Sequence, residues 1–426
     1  MSRVAIRLAG LVAGLVATAS AQAQPLAVLL EDALAHPAVA ARERRVEAAE
    51  ATLGAETARY LGGGEAFASA TRFEDRRIVG PFVPYDFAAL PADREFARYG
   101  VRYRLPVDVF GVIAASRERA RGDLEAARLL RRQETLLTLH RVATAYADLQ
   151  ALRRQARALS TRAAALERME RRVMAQIELG QAAKLDARVV ASELAAHRAE
   201  AARLEGAVAE ARARLAEAAG RDAEVTADEI MVPAWDPAAA GDTLPVRMAE
   251  SRARAARADA RAARRALLPR LDVTAEASQY EGGGESPDDW ALGIQASIPL
   301  DWSARRRSAA GTRAGEAAAA DARAAEREAA HRIRVLESAY HAAVADAAAL
   351  GEEVAQRREV LDLAEEKHRL GAMALEELLR HQRDWLAAAY QVARARAAAQ
   401  AAWSGLQVLL GTAPERYIRA AAGDGG

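Results

Sequence analysis

Apolar residues follow two periods along this chain, and the switch between the periods repeats. From Val142 the apolar positions run Tyr146, Leu149, Ala156, Leu159, Ala163, Leu166, Val173 and Ile177, in steps of three, four and seven. That spacing predicts a helix packed along a coiled-coil seam. A helix from about Ala115 to Ile177 would be roughly 90 Å long at 1.5 Å per residue, more than a compact domain needs. Leu336, Tyr340, Ala347, Val354, Leu361 and His368 continue a comparable stripe in the C-terminal half. Elsewhere the period drops to two. Phe67, Ser69, Thr71 and Phe73 lie on one face of a predicted strand. Tyr99, Val101, Tyr103 and Leu105 lie on one face of the next, alternating with Gly100, Arg102 and Arg104. Leu271, Val273, Ala275 and Ala277 alternate with Asp272, Thr274, Glu276 and Ser278. Trp290, Leu292, Ile294, Ala296 and Ile298 alternate with small or polar residues. The Gly-rich run from Glu281 to Pro287 predicts a turn between these last two strands.

These elements recur in order. Pro37 and Pro245 each open a helix at a favoured early position. Leu105-Pro106-Val107-Asp108 answers Ile298-Pro299-Leu300-Asp301, and Ala145-Tyr146 answers Ala339-Tyr340. Glu178-Leu179-Gly180 answers Arg369-Leu370-Gly371, and Gly220 answers Gly411. The last four offsets stay between 191 and 194 residues, whereas the first is 208. The surplus falls between Arg77 and Asp93, where Gly80, Pro81 and Pro84 predict a longer loop. Each copy reads as short helix, strand pair and very long helix pair, the long helices starting near Asp108 and Asp301. Strands of about ten residues, apolar on one side, fit a transmembrane β-barrel. A soluble hairpin with one wet face is the alternative for a strand pair alone, but the flanking helices and an export signal favour the barrel.

That signal is at the N-terminus. Arg3 and Arg7, an apolar run from Leu8 to Ala19 and the small-residue exit Ala21-Gln22-Ala23 read as a secretory signal peptide, residues 1–23, cleaved after Ala23. The run is shorter than the roughly 20 residues a spanning helix needs. No cysteine is present, so there is no disulfide framework, thiolate metal site or acylated cysteine, and the mature chain is not lipid-anchored. Lys and Arg number 60 against 59 Asp and Glu, and removing Arg3 and Arg7 leaves 58 against 59. This balance argues against nucleic-acid binding. The charge-rich stretch Arg252–Arg265 includes Asp259 and reads as a solvated helix face. Hydrophobic residues make up 51% and aromatics 5%, with Ala supplying much of the difference, a composition suited to closely packed long helices.

Catalytic and cofactor chemistry is not indicated. The histidines His36, His140, His197, His331, His341, His368 and His381 form no pair with metal-ligand spacing. Gly62-Gly63-Gly64 and Gly282-Gly283-Gly284 are not followed by Gly-Lys-Ser/Thr, so they read as loops and not phosphate cradles. No cofactor, metal site or enzyme activity is expected.

The duplicated order of helix, strand pair and helical hairpin resembles the TolC-type outer-membrane efflux protein family. Leu179-Gly180 and Leu370-Gly371 at the helical turns carry the resemblance, as do Leu267-Leu268-Pro269 before the third strand and Leu409-Leu410-Gly411 ending the last long helix. It covers nearly the whole mature chain. The first copy departs by having Tyr60-Leu61-Gly62 where the second has Leu268-Pro269. The pattern without a lipid cysteine sits with the heavy-metal, CzcC-like branch, although drug efflux and protein secretion use the same fold.

The resemblance implies a mainly α fold with membrane β: duplicated long helical hairpins form a periplasmic α-barrel, and four strands per protomer contribute to a trimeric 12-stranded outer-membrane β-barrel. Residues 24–220 would form the first repeat, with its strand pair at about 65–105 and its long helices at about 108–219. Residues 221–244 would be a linker. Residues 245–426 would form the second repeat, with strands at about 270–299, helices at about 301–411 and a short C-terminal tail. The implied function is the passive channel of a tripartite efflux system. Its partners would be a periplasmic membrane-fusion adaptor, an inner-membrane pump of RND type in preference to ABC type, and outer-membrane lipid. By the resemblance, Gly180, Ala182, Ala183 and Leu185, with Gly371, Ala372, Ala374 and Leu375, form the periplasmic tips where the adaptor docks. Met373, Glu377 and Arg380 stand where family members narrow the aperture, and only Glu377 keeps the acidic character found there. The competing class is a periplasmic coiled-coil scaffold or adaptor without a channel, which gives no reason for four amphipathic strands.

Overall fold

The computed structural model describes residues 25–79, 92–180, 183–221, 230–236, 243–282, 288–300 and 302–423. The signal segment, Gly80, Pro81 and Pro84 of the long loop, Ala182, Asp301, most of the 221–244 linker and residues 283–287 of the predicted turn lie outside the described residues.

Helix α1 (Leu26–Ala33) precedes α2 (Pro37–Ala58), whose first turn is fixed by Pro37 and by His36 Nδ1 accepting the Ala38 N–H at 3.2 Å. A single 3-10 turn leads into strands β1 (Gly63–Ile78) and β2 (Ala92–Val107). Helix α3 (Val112–Glu178) descends and α4 (Lys184–Ala219) returns. The order then repeats as α5 (Leu244–Arg265), β3 (Arg270–Glu281), β4 (Asp288–Ser297), α6 (Trp302–Arg369) and α7 (Leu375–Leu410). At 67 and 68 residues, α3 and α6 each run about 100 Å. Helix α3 begins four residues later than Asp108. The Asp108 carboxylate accepts from the Ile113 and Ala114 N–H groups at 3.1 and 2.8 Å, so it caps the helix from outside. Among the described residues no helix is long and apolar enough to cross a membrane.

The predicted seam of α3 is buried or half-buried throughout, with Tyr146, Leu149, Leu159, Leu166 and Val173 nearly inaccessible. The main core lies midway along the molecule, where α3 meets α1, α5, α7 and a last helix, α8 (Pro414–Ala422). The residues after Gly411 are therefore more than a tail. Tyr417 is fully buried against Trp403, and its hydroxyl is hydrogen-bonded to Ser404 Oγ, which is 2.8 Å from His140 Nδ1. Burial, followed by the charge of Arg141, lowers the pKa of His140. Leu29 and Leu30 of α1 enter the same core.

The four strands form one antiparallel sheet in the order β1-β2-β3-β4. The helices beneath follow the same lateral order, since α2 packs on α3, α3 on α5 and α5 on α6. Strands β1 and β2 are longer than expected. Their ladder reaches Ile78 opposite Ala92, beyond a bulge between Arg72 and Arg77.

Candidate functional site

Directly paired residues on antiparallel strands point to the same face, so the register sorts every strand residue. Val101 pairs with Ala277 and Ala277 with Trp290; Tyr103 pairs with Ala275 and Ala275 with Leu292; Leu105 pairs with Val273 and Val273 with Ile294. These residues form one apolar face, on which Leu292 and Ile294 are 71% and 74% exposed. Large apolar side chains left so open mark a surface that meets lipid or protein.

The other face is polar. Glu276 accepts from Arg102 Nε at 2.7 Å and from Arg98. Phe67 pairs with Gly100, which places it on this polar face, with the Arg98 and Arg102 guanidinium groups 5.1 and 5.2 Å from its ring. The two predicted sets of the first strand pair, Phe67-Ser69-Thr71 and Tyr99-Val101-Tyr103, therefore face opposite ways. The first strand offers Ala66, Ala68 and Ala70 to the apolar side, because they pair with Val101, Tyr99 and Ala97.

At the far ends of the long helices the two turns are built alike. Gly180 and Gly371 have φ of 72° and 77°, a region that side chains other than glycine adopt at a cost. The Gly371 N–H donates to His368 O at 3.0 Å and the Ala372 N–H to Lys367 O at 2.9 Å, satisfying the last carbonyls of α6. His368 Nδ1 donates to Met373 O at 3.0 Å across the same turn. In the first turn the Asp186 carboxylate accepts the Ala183 N–H at 3.2 Å. A Cβ at either glycine would meet no atom within 4 Å, so both turns face open space.

Ala183, Ala372 and Ala374 are exposed, and Leu185 is 70% exposed. Leu375 is not part of that surface. It is 8% exposed and packs with Leu166, Val173, Val190, Leu194 and Leu379, because it is the first inward position of α7. Met373 turns inward against Leu361, Ala364 and Leu378, as its apolar thioether favours. Glu377 pairs with Arg380 at 3.7 Å on the exposed side of α7, so the three aperture candidates do not converge within one chain. Leu179 and Leu370, read only as turn landmarks, are as exposed as Leu185. Their place before a helix-ending glycine was the available signal.

Geometry thus defines a tandem helical-hairpin protein that carries a sheet with one apolar, solvent-exposed face and two open tips. The chain belongs to the outer membrane efflux protein family, which it matches over residues 93–221 and 239–412. Membership makes it the channel component of a tripartite efflux system, acting with an adaptor and an inner-membrane pump. Its fold is similar to that of the outer membrane protein VceC of Vibrio cholerae, at TM-score 0.77 and 18% identity over 91% of this chain and 96% of that one. It is also similar to the open state of the Neisseria gonorrhoeae MtrE outer membrane channel, at 0.77 and 18% over 91% and 89%. The Campylobacter jejuni CmeC outer membrane channel aligns at 0.75 and 14% over 93% and 89%. No curated protein matches the chain.

Proposed function

We propose that three copies of this chain close into one 12-stranded barrel in the outer membrane, continued into the periplasm by a tube of the long helices, and that the assembly is a passive duct. The observation that carries this reading is the sheet itself. Among the described residues β1 and β4 each pair on one side only, and the apolar face is exposed. Unpaired backbone groups cannot face hydrocarbon, so such a sheet enters a membrane only if further copies complete it. Four strands from each of three copies give the twelve.

In this reading residues 1–23 direct export, and the two repeats, 24–220 and 245–426, contribute one strand pair and one hairpin each. The exposed tips around Gly180, Ala183, Leu185, Gly371, Ala372 and Ala374 receive the adaptor, with Leu179 and Leu370 added to that surface. Small and apolar exposed residues suit close packing by a partner helix. In this reading an inner-membrane pump of RND type supplies the energy. Envelope fractionation tests the localisation. The full-length chain is expected, shortened by its signal, in the outer-membrane fraction and extractable only with detergent; recovery from the soluble periplasm would overturn the reading.

A further inference from the structure

At the periplasmic rim of the sheet the two free edges of the protomer carry complementary apolar features. On the β4 side, Leu300 is 93% exposed and Trp302, at the start of α6, is 77% exposed. The Arg305 guanidinium lies 4.9 Å from the Trp302 ring centroid, which leaves the rest of the indole open. On the β1 side, the end of α2 and the turn after it frame an open groove of about 740 Å³, lined by Leu53, Tyr60, Leu61 and Leu124 together with the ion-paired Glu50 and Arg128.

Both edges are short of neighbours. Helix α2 buries a single residue, Val46, and packs on α3; α6 buries one narrow seam toward α5 and α7. Strand and helix order agree: β1 and α2 form one edge, β4 and α6 the other.

Polarity also fits. The chain runs toward the sheet along α2 and away from it along α6, and β1 and β4 run in opposite directions. Ring closure therefore sets β4 antiparallel to the β1 of the next copy and continues the alternation already present in the sheet. The end of β4 then stands beside the start of the neighbouring β1, both at the same rim.

We infer that Leu300 and Trp302 of one copy seat in the groove formed by Leu53, Tyr60, Leu61 and Leu124 of the next copy. This rests on the ring reading above and assigns the residues that fasten it at the membrane's periplasmic edge. An exposed Trp beside an apolar groove is the kind of anchor that dominates protein interfaces. The occupant is a second copy and not lipid, because knob and groove sit on opposite edges that the ring brings together. Lipid would require neither pairing nor order.

The chain has no cysteine, so engineered pairs report without background. In one chain positions 61 and 300 sit on opposite edges of the sheet, three strand spacings or roughly 14 Å apart. That exceeds the reach of a disulfide, so bonds form only between copies. Leu61→Cys combined with Leu300→Cys, and Leu61→Cys combined with Trp302→Cys, are expressed in the full chain and oxidised in the membrane. Mass in mild detergent is measured before denaturation. The expected result is a trimer whose denatured, non-reduced chains run as covalent dimers and trimers and collapse with reductant, while single-cysteine variants stay monomeric on the gel. Trp302→Ala, which needs no cysteine, is expected to lower the dissociation temperature of the trimer by several degrees. Trimers that cross-link through neither pair, or a Trp302→Ala trimer as heat-stable as wild type, overturn the seating and leave the ring standing. A wild-type monomer in detergent overturns the ring itself.

Discussion

Gly180 and Gly371 hold a conformation that other residues reach at about 1–2 kcal/mol, yet neither has an atom near the place where a side chain would begin. Two consequences separate at these positions. A substitution strains one turn, which hairpins of this length absorb, but it also projects a side chain from the outermost surface of the tip. Gly180→Glu and Gly371→Glu are therefore expected to leave assembly intact while adaptor cross-linking and efflux-dependent resistance fall, most in the double variant. Measuring assembly, cross-linking and resistance separately checks this; normal cross-linking and resistance with intact assemblies would show that the adaptor docks elsewhere. Leu375, in contrast, is an interior residue of α7 packed against α3 and α4 of the first hairpin, and its truncation belongs with core losses of about 2–5 kcal/mol.

At the scale of elements, the sheet gives the sharpest contrast, because neighbouring residues on β4 point to opposite faces. Ile294 pairs with Val273 on the apolar face, while Gln295 pairs with Asp272 on the polar one. In a membrane strand Ile294→Arg costs about 2–4 kcal/mol near the midplane, whereas Gln295→Arg faces water. Yields of assembled protein are expected to drop for the first and hold for the second; equal yields would mean the strand is not in a membrane. The long helices and the β3–β4 pair were legible in the sequence because their patterns are local: heptad steps along α3, strict alternation along β3 and β4. The face of β1 was not, since Phe67 and Ala66 exchange sides according to pairing with β2, and pairing is set by chain far away in sequence. Helices α1 and α8 leave little sequence signal for a related reason. Each is short, and Leu29, Leu30 and Tyr417 are buried only because α3, α5 and α7 enclose them. Leu375 is buried beside the exposed Ala374 because exposure at a turn changes within one residue as the helix begins.

The whole molecule is organised around incompleteness. Strands and helices share one lateral order with two unpartnered edges, and the face that would meet lipid is already apolar while the opposite face carries Arg98, Arg102 and Glu276. Duplication explains why the two edges are compatible: each repeat supplies one rising and one falling strand, so adding a further copy repeats the existing alternation. A monomer would leave β1 and β4 open, and a scaffold would have no use for a two-faced sheet. The most direct test of this account is the oligomeric mass of the full-length, processed protein extracted from the outer membrane in mild detergent, measured by light scattering with the detergent contribution subtracted. A closed ring of three copies has a protein mass three times that of one chain, stable on dilution. A mass of one chain, or one that shifts continuously with concentration, would contradict it.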